Sequence, residues 1–382
     1  MKITFVLSGT SRTGGIRVLF EVGDRLAGRG HSITYLSLGS PQHGWFNFKN
    51  NVNFIYPESK YMLLLPRFLK KYSLHDIINY GFKTLKIPYE LESYKILSKN
   101  IPKDSDVVVA TFCFTAFAVY RANIGVGYYY IQHYEPLFFS SDPYLYHTAK
   151  ETYYLPLNWI VNSSWANEQL RKSVGRQGPV VIPGVDPNVF FPREVSRKMT
   201  EKTIISLGKR SKIKGLIYLF KALEIIKKKS DIKLKLILYG NEPYLAKISP
   251  IQTEYVINPS DEELSKLYSL SDIAVIPSLY ESSPLPPLEA MACGTPVVTT
   301  KYGTEDYCFN EVNSLVVLPR DPKALANAIL RLLRNERLRE NIRKEGLKTA
   351  KLYTWDETAN KVEKLFRKSL KEYTENLPVK RS

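Results

Sequence analysis

Residues 273–298 restrict what this chain can fold into more than any other segment. The run 273–277 (Ile-Ala-Val-Ile-Pro) is apolar, which is typical of a buried strand in a parallel sheet. Pro286 and Pro287 suit the first turn of a following helix, because the N–H that proline lacks is not needed there. Gly294 is placed to end this helix before the apolar pair Val297-Val298. The segment therefore predicts an α/β fold with parallel strands.

Two glutamates bracket the start of this predicted helix. Glu281 falls in the loop at the carboxyl end of the strand, and Glu289 falls in the early helix. Ligands of open α/β sheets bind at this edge, and a helix N-terminus there favours a phosphate. Carboxylates repel phosphate, so we expect these two to accept hydrogen bonds from the hydroxyls of a sugar and a ribose. The alternative is a pair of solvated glutamates beside an ordinary turn.

A basic turn precedes this segment by about 70 residues. The apolar run 204–207 is followed by Gly208, Lys209 and Arg210, and Lys214 stands where the next helix is predicted to begin. Lysine acts as a point charge and arginine as a bidentate fork, so together they can neutralise a diphosphate. A basic surface loop is the alternative for this turn taken alone. The two segments in one series of strand–helix units are more specific than either.

The N-terminal half has two weaker signals. Gly14 and Gly15 open a helix after the first predicted strand, but their spacing from Gly9 does not fit the dinucleotide-binding pattern G-x-G-x-x-G. Paired glycines still allow backbone N–H groups to approach a ligand closely, the alternative being a tight turn without a chemical role. His133 follows the predicted strand 127–131, and Glu135 is an alternative polar contact there.

Length and patterning predict two domains. A chain of 382 residues exceeds one comfortable core, and strands alternate with helices throughout. The Pro-rich stretch 183–192 is the natural linker, which gives domains at 1–184 and 185–354. A final amphipathic helix is predicted at 355–376, and the tail 377–382 is predicted to be disordered. Strands are predicted near 2–8, 32–38, 52–56, 106–111, 126–131, 157–162 and 180–182, with helices at 16–29, 83–100 and 163–172.

The net charge of +17 implies anionic partners. Nucleoside diphosphates, anionic lipid headgroups and nucleic acid all qualify, but no known nucleic-acid motif is present. In the segment 60–71 cations flank bulky apolar residues, which is typical either of a membrane-surface segment or of a packed helix with exposed lysines. The sequence shows no signal peptide and no apolar run long enough to cross a membrane. We therefore expect a cytoplasmic protein, with peripheral binding at the inner membrane face as a further possibility.

The G-K-R…K-G turn, the E-x7-E segment and the run E-A-M-A-C-G-T-P-V-V resemble the family 4 retaining glycosyltransferases (glycosyl transferases group 1). The resemblance covers roughly residues 200–366. The segment Q-H-Y-E-P at 132–136 looks more like a subgroup of rhamnosyltransferases that build polysaccharides. The resemblance implies the GT-B fold, in which two Rossmann-like doubly wound domains face each other across a cleft. It also implies that the helix at 355–376 crosses back to the first domain.

The resemblance further implies a reaction and roles for individual residues. The protein would move a hexose or deoxyhexose from a nucleoside diphosphate sugar to a glycan or lipid-linked acceptor, retaining anomeric configuration. No metal or other cofactor is implied, since no D-x-D stretch appears and cations already serve the phosphate. Ser283-Pro284 departs from the family, which commonly has a glycine here. The implied catalytic residues are Glu281, Lys214, Arg210 and His133, and the implied donor-binding residues are Gly14, Gly15, Gly208, Lys209, Glu289, Pro287 and Leu288.

Two other classes fit the same residues. One is a GT-B epimerase or sugar-nucleotide hydrolase, and the other is a non-catalytic protein that binds sugar nucleotides or anionic membranes. The sequence leaves open the sugar, the base, the acceptor, the linkage and the oligomeric state. It also leaves open whether Lys209 or Arg210 contacts the diphosphate.

Overall fold

The computed structural model describes residues 1–57, 89–194 and 201–375. These residues form two compact units. The first comprises Met1–Val181 together with the described residues from Thr358 onwards, and the second comprises Ile182–Glu357. The predicted membrane-surface segment 60–71, the start of the helix predicted at 83–100 and the tail 377–382 lie outside the described residues.

The first unit is built on a six-stranded parallel sheet with the strand order β3-β2-β1-β4-β5-β6. This is the order of a doubly wound nucleotide-binding fold. The strands are β1 Lys2–Leu7, β2 Ser32–Ser37, β3 Asn53–Ile55, β4 Val107–Ala110, β5 Val126–Ile131 and β6 Asn158–Val161. The helices are α1 Gly14–Gly28, α2 Tyr89–Asn100, α3 Cys113–Ala122, α4 Pro143–Glu151 and α5 Ser164–Val174.

Side-chain caps set the starts of several helices in this unit. The hydroxyl of Thr13 accepts a hydrogen bond from the N–H of Ile16 at the start of α1, and Ser163 caps α5 in the same way. The strand predicted at 180–182 is wrong, since Val180 forms a single bridge to Val161. Helix α3 was missed by periodicity, because most of its residues are apolar and six of its ten residues are buried, so it has no continuous polar face.

The second unit repeats the architecture with the strand order β12-β11-β10-β7-β8-β9, again parallel throughout. Apolar residues of both sheet faces form its core. The strands are β7 Lys202–Leu207, β8 Leu234–Gly240, β9 Thr253–Ile257, β10 Ile273–Ile276, β11 Val297–Thr300 and β12 Leu315–Val317. The helices are α6 Leu216–Lys229, α7 Asp261–Leu270, α8 Leu285–Ala292, α9 Pro322–Arg334 and α10 Glu336–Leu352.

The last helix, α11 Trp355–Glu375, packs within the first unit from Thr358 onwards. The hydroxyl of Tyr128 in β5 donates to the carbonyl of Leu365 at 2.8 Å, and its ring meets Phe366 edge-on at 4.8 Å. Glu363 is hydrogen-bonded by His31 and Arg29, both at 3.0 Å. Within the described ranges, none of the helices has the length and apolar character that a membrane crossing requires.

Candidate functional site

The second sheet brings the basic turn and the first glutamate together. Strands β7 and β10 are neighbours at the point where the strand order reverses, and Ile204 is in register with Ile273. Lys214 follows β7 in a short 3-10 turn, and Glu281 follows β10 in a loop. Ligands of doubly wound sheets bind outside the carboxyl ends of the strands at such a reversal. The topology therefore places both residues where a ligand is expected.

Lys214 and Glu281 form an ion pair at this reversal. The Nζ of Lys214 lies 2.6 Å from Oε1 of Glu281, and both side chains are largely buried. The hydroxyl of Ser278 donates to the same oxygen at 2.8 Å. Among the described residues, nothing donates to Oε2 of Glu281, and Lys214 has no second partner. The pair therefore keeps a carboxylate oxygen and two ammonium N–H groups for a ligand. Ser278 was missed, although its position just after the strand was a usable signal.

The loop around Glu281 is held against a second loop in a strained conformation. The N–H of Glu281 donates to the carbonyl of Tyr302 at 3.1 Å, and that of Ser283 donates to Gly303 at 3.0 Å. Ser283 and Tyr302 have left-handed φ values of 58° and 76°, which cost free energy for any residue except glycine. A glycine at position 283 would adopt this φ without that cost. Such strain concentrates at functional sites.

Helix α8 begins as predicted, with Pro286 and Pro287 in its first turn and Gly294 just past its end at φ 71°. The prolines remove two of the N–H groups that a helix N-terminus offers to an anion. Pro287 is buried, and the side chain of Leu288 lies in the core. Leu288 can therefore offer a ligand its backbone but not its side chain.

Glu289 is a buried residue, with 7% of its surface exposed. Its Oε2 accepts a hydrogen bond of 3.3 Å from the hydroxyl of Tyr268, which itself lies 2.9 Å from the hydroxyl of Tyr239. The two tyrosines come from α7 and from the carboxyl end of β8. Sequence reasoning named Glu289 but missed this tyrosine pair, because all three residues lie on different elements.

The three residues of the basic turn have different surroundings. Gly208 is fixed by packing, since a Cβ there would come within 2.6 Å of the Tyr255 ring. The backbone N–H of Arg210 donates to Glu242 at 3.1 Å. Lys209 is exposed, and its ammonium has no hydrogen-bond or ion-pair partner in the part of the chain that the structure describes. The structure thus pairs Lys214 with Glu281, whereas Lys209 and Arg210, which precede Lys214 in the same turn, are exposed to solvent.

In the first unit, Gly14 and Gly15 open α1 as expected but differ in their surroundings. A Cβ on Gly14 would meet nothing within 4 Å. A Cβ on Gly15 would lie 3.3 Å from the side-chain oxygen of Gln132, which follows β5. Glycine at position 15 therefore lets the Gln132 amide lie against the start of the helix.

His133 and Glu135 are separated by the fold. The imidazole of His133 is half-buried, and its Nδ1 lies 3.1 Å from the carbonyl of Tyr134. The carboxylate of Glu135 points into the interior, where it accepts hydrogen bonds from the backbone N–H of Cys113 at 2.5 Å and the hydroxyl of Tyr129 at 2.7 Å. Glu135 is therefore an interior group, and His133 is the one left to meet a ligand.

Burial raises the pKa of Glu135 to about 8, against the opposing effect of its hydrogen bonds. The folded state then holds a proton that the unfolded state releases, so this contribution to stability is complete below about pH 4 and is lost as pH rises through 8. We predict that Glu135→Gln gains thermal stability relative to the unmodified protein between pH 5 and pH 8.5 in melting measurements. The exposed Glu151→Gln is the control, and parallel curves for Glu135→Gln and the unmodified protein would contradict the prediction.

Comparison with known proteins shows what the chain is similar to. Residues 190–349 match the model of the family described as glycosyl transferases group 1. An uncharacterized glycosyltransferase of Haemophilus influenzae is 28% identical over 305 residues, which are 78% of this chain and 80% of that protein. The chain spans about half the length of the next curated relatives that it matches.

Solved structures show the same fold. Sucrose-phosphate synthase from Thermosynechococcus elongatus matches with a TM-score of 0.79 and 19% identity, over 97% of this chain and 100% of that one. Anabaena HepE in complex with UDP-glucose matches with a TM-score of 0.71 and 15% identity, over 96% and 100%. These matches confirm the predicted GT-B fold class.

By fold, the chain is of the GT-B class, and its sequence is similar to those of glycosyltransferases. More particularly, its second unit carries the domain of the glycosyl transferases group 1, which confirms the resemblance to the family 4 enzymes at that level. The rhamnosyltransferase-like subgroup and the roles of individual site residues stay predictions.

Proposed function

We propose that this protein is a retaining glycosyltransferase that moves a hexose or deoxyhexose from a nucleoside diphosphate sugar to a hydroxyl of a glycan or lipid-linked acceptor. The observation that carries the proposal is the Lys214–Glu281 pair of 2.6 Å at the strand-order reversal of the second sheet. It joins a group for phosphate to a group for sugar hydroxyls. HepE, which shares the fold, binds UDP-glucose.

The charges of the pair suit both ends of the donor. Lys214 has two N–H groups left for phosphate oxygens, and Glu281 has an oxygen left for a sugar hydroxyl. Because the first turn of α8 is proline-rich, side-chain cations rather than helix N–H groups have to supply most of the countercharge. Lys209 and Arg210 are the further cations of this turn, and Glu289 is the acceptor for ribose hydroxyls. The proposal includes no metal, since these cations serve the diphosphate.

The proposed reaction breaks the bond between the anomeric carbon and the diphosphate oxygen, and the bonding electrons leave with that oxygen. The acceptor hydroxyl attacks on the same face and gives its proton to the departing phosphate. Lys214 stabilises the negative charge that develops, which is the kind of electrostatic effect that contributes most to many enzymes. The net charge of +17 also favours binding at an anionic inner membrane face, where lipid-linked acceptors lie.

The direct test screens nucleoside diphosphates and their sugars by thermal shift, because a ligand that binds the folded state raises its stability. Each nucleoside diphosphate sugar that stabilises the protein is then incubated with the protein, with and without a glycan acceptor. NMR determines the anomeric configuration of the product. We expect acceptor-dependent transfer with retention. Release of free sugar at the same rate without acceptor would indicate a hydrolase, and no stabilisation by any nucleotide would contradict the donor assignment.

A further inference from the structure

An aromatic cluster in the first unit surrounds His133, and its other two members, Phe138 and Trp165, have no part in the proposed donor chemistry. Phe138 is 42% exposed, although the following Phe139 is buried. The ring of His133 lies 4.5 Å from the Phe138 ring and 5.6 Å from the Trp165 ring. We call these three residues the aromatic face. An exposed aromatic ring offers a ligand an apolar surface on which to pack.

The aromatic face lies at the ligand-binding edge of the first sheet. His133 follows the carboxyl end of β5, and Trp165 lies in the first turn of α5, which follows the neighbouring strand β6. Tyr144, 63% exposed, lies in the first turn of α4, six positions after Phe138. The cluster therefore stands where doubly wound sheets bind ligands.

The composition around the aromatic face is unusual for this chain. Despite the net charge of +17, residues 122–149 include neither lysine nor arginine. Within this stretch the Glu135 carboxylate is buried, and that of Asp142 accepts from the N–H of Leu145 to cap α4. Exposed hydroxyl residues, Ser140 and Ser141, follow Phe138. The stretch thus offers aromatic rings and hydroxyl groups but no lysine or arginine.

We propose that the aromatic face binds a neutral pyranose ring of the acceptor and that Phe138 determines this specificity. A pyranose has an apolar face of C–H groups, which stacks on an aromatic ring, and an edge of hydroxyls that hydrogen-bonds to imidazole and serine groups. A phosphate or carboxylate on the acceptor finds no cation in this stretch to offset its desolvation. This inference rests on the proposed function and adds the chemical class of the acceptor.

The test measures sugar binding directly, without donor or turnover. Saturation-transfer NMR titrates the whole protein with methyl glycosides of glucose, mannose, galactose, rhamnose and N-acetylglucosamine, and with glucuronic acid and glucose 6-phosphate. We expect saturable binding of at least one neutral glycoside and none of the charged sugars. Phe138→Ala should weaken that binding about tenfold, and Phe138→Tyr should retain it. Tyr120→Ala is the matched control, since Tyr120 is 51% exposed near the end of α3, away from this edge.

Three results would overturn the inference: no binding of any neutral glycoside, equal binding of the charged sugars, or an unchanged dissociation constant in Phe138→Ala. A heteronuclear NMR spectrum of each variant verifies that the fold is intact. Failure of the proposed function is a separate result, since it shows as missing nucleotide binding in the thermal-shift screen. If the protein binds neutral glycosides but no nucleotide, the inference about the aromatic face stands and the proposed transferase function is refuted.

Discussion

Replacing Lys214 by alanine is expected to lower glycosyl-transfer turnover at saturating donor by about 10²–10³-fold, the loss seen when one preorganised electrostatic group is removed. The Lys214 ammonium, held 2.6 Å from Glu281, is already oriented at the strand-order reversal before any ligand binds. A fixed charge needs no reorganisation when negative charge develops on the leaving diphosphate. Turnover should therefore fall more than donor affinity does.

Neighbouring residues provide sharp controls for this experiment. Lys212 lies in the same 3-10 turn and is exposed, so Lys212→Ala makes the same change in charge without touching Glu281. We expect Lys212→Ala to keep at least half of the turnover. Lys214→Arg should keep more turnover than Lys214→Ala but less than the unmodified protein. The positive charge remains, but the planar guanidinium does not place it where the compact ammonium does. Near-normal turnover in Lys214→Ala, or equal losses in Lys212→Ala and Lys214→Ala, would refute the role assigned to Lys214.

The parts of this site that sequence could predict are those with local causes. The apolar run before Pro277 predicted β10, and the prolines and Gly294 predicted both ends of α8, because turn geometry and hydrogen-bonding capacity act within a few residues. Strand–helix alternation predicted the two doubly wound sheets for the same reason. The α/β class therefore followed from patterns that require no knowledge of distant contacts, whereas the GT-B fold was expected from the family resemblance.

Contacts between distant segments could not be read in this way. Lys214 and Glu281 are 67 positions apart, and the family resemblance implied that both serve one donor site, but their ion pair was not predicted. Glu135 and His133 are two positions apart, yet the Glu135 side chain is buried and hydrogen-bonded to Tyr129, whereas that of His133 is half-exposed. The chain enters a 3-10 turn at Glu135, directly after His133 and Tyr134, and the two side chains therefore point to different surroundings. No periodic pattern in the sequence predicted this turn.

Replacing Gly215 by alanine is expected to destabilise the second unit by about 3 kcal/mol or more, the sum of a left-handed residue without glycine and a steric overlap. Gly215 has φ 65°, and a Cβ there would lie 2.0 Å from the carbonyl oxygen of Pro277. That oxygen belongs to the backbone at the end of β10, so relief requires moving α6 away from the sheet. Calorimetry should show a melting temperature lower by about 10 °C.

Gly215→Ala should also lower glycosyl-transfer turnover, because it disturbs the candidate site. A packing defect far from the site would lower stability alone. Gly215 directly follows Lys214, and Pro277 directly precedes Ser278, so moving the two segments apart lengthens the Lys214–Glu281 contact. Gly14→Ala is the matched control, because a Cβ at Gly14 meets nothing within 4 Å and its stability should change by less than about 0.5 kcal/mol. An unchanged melting temperature in Gly215→Ala would show that α6 does not approach β10 this closely, and the site geometry derived from that approach would then fall with it.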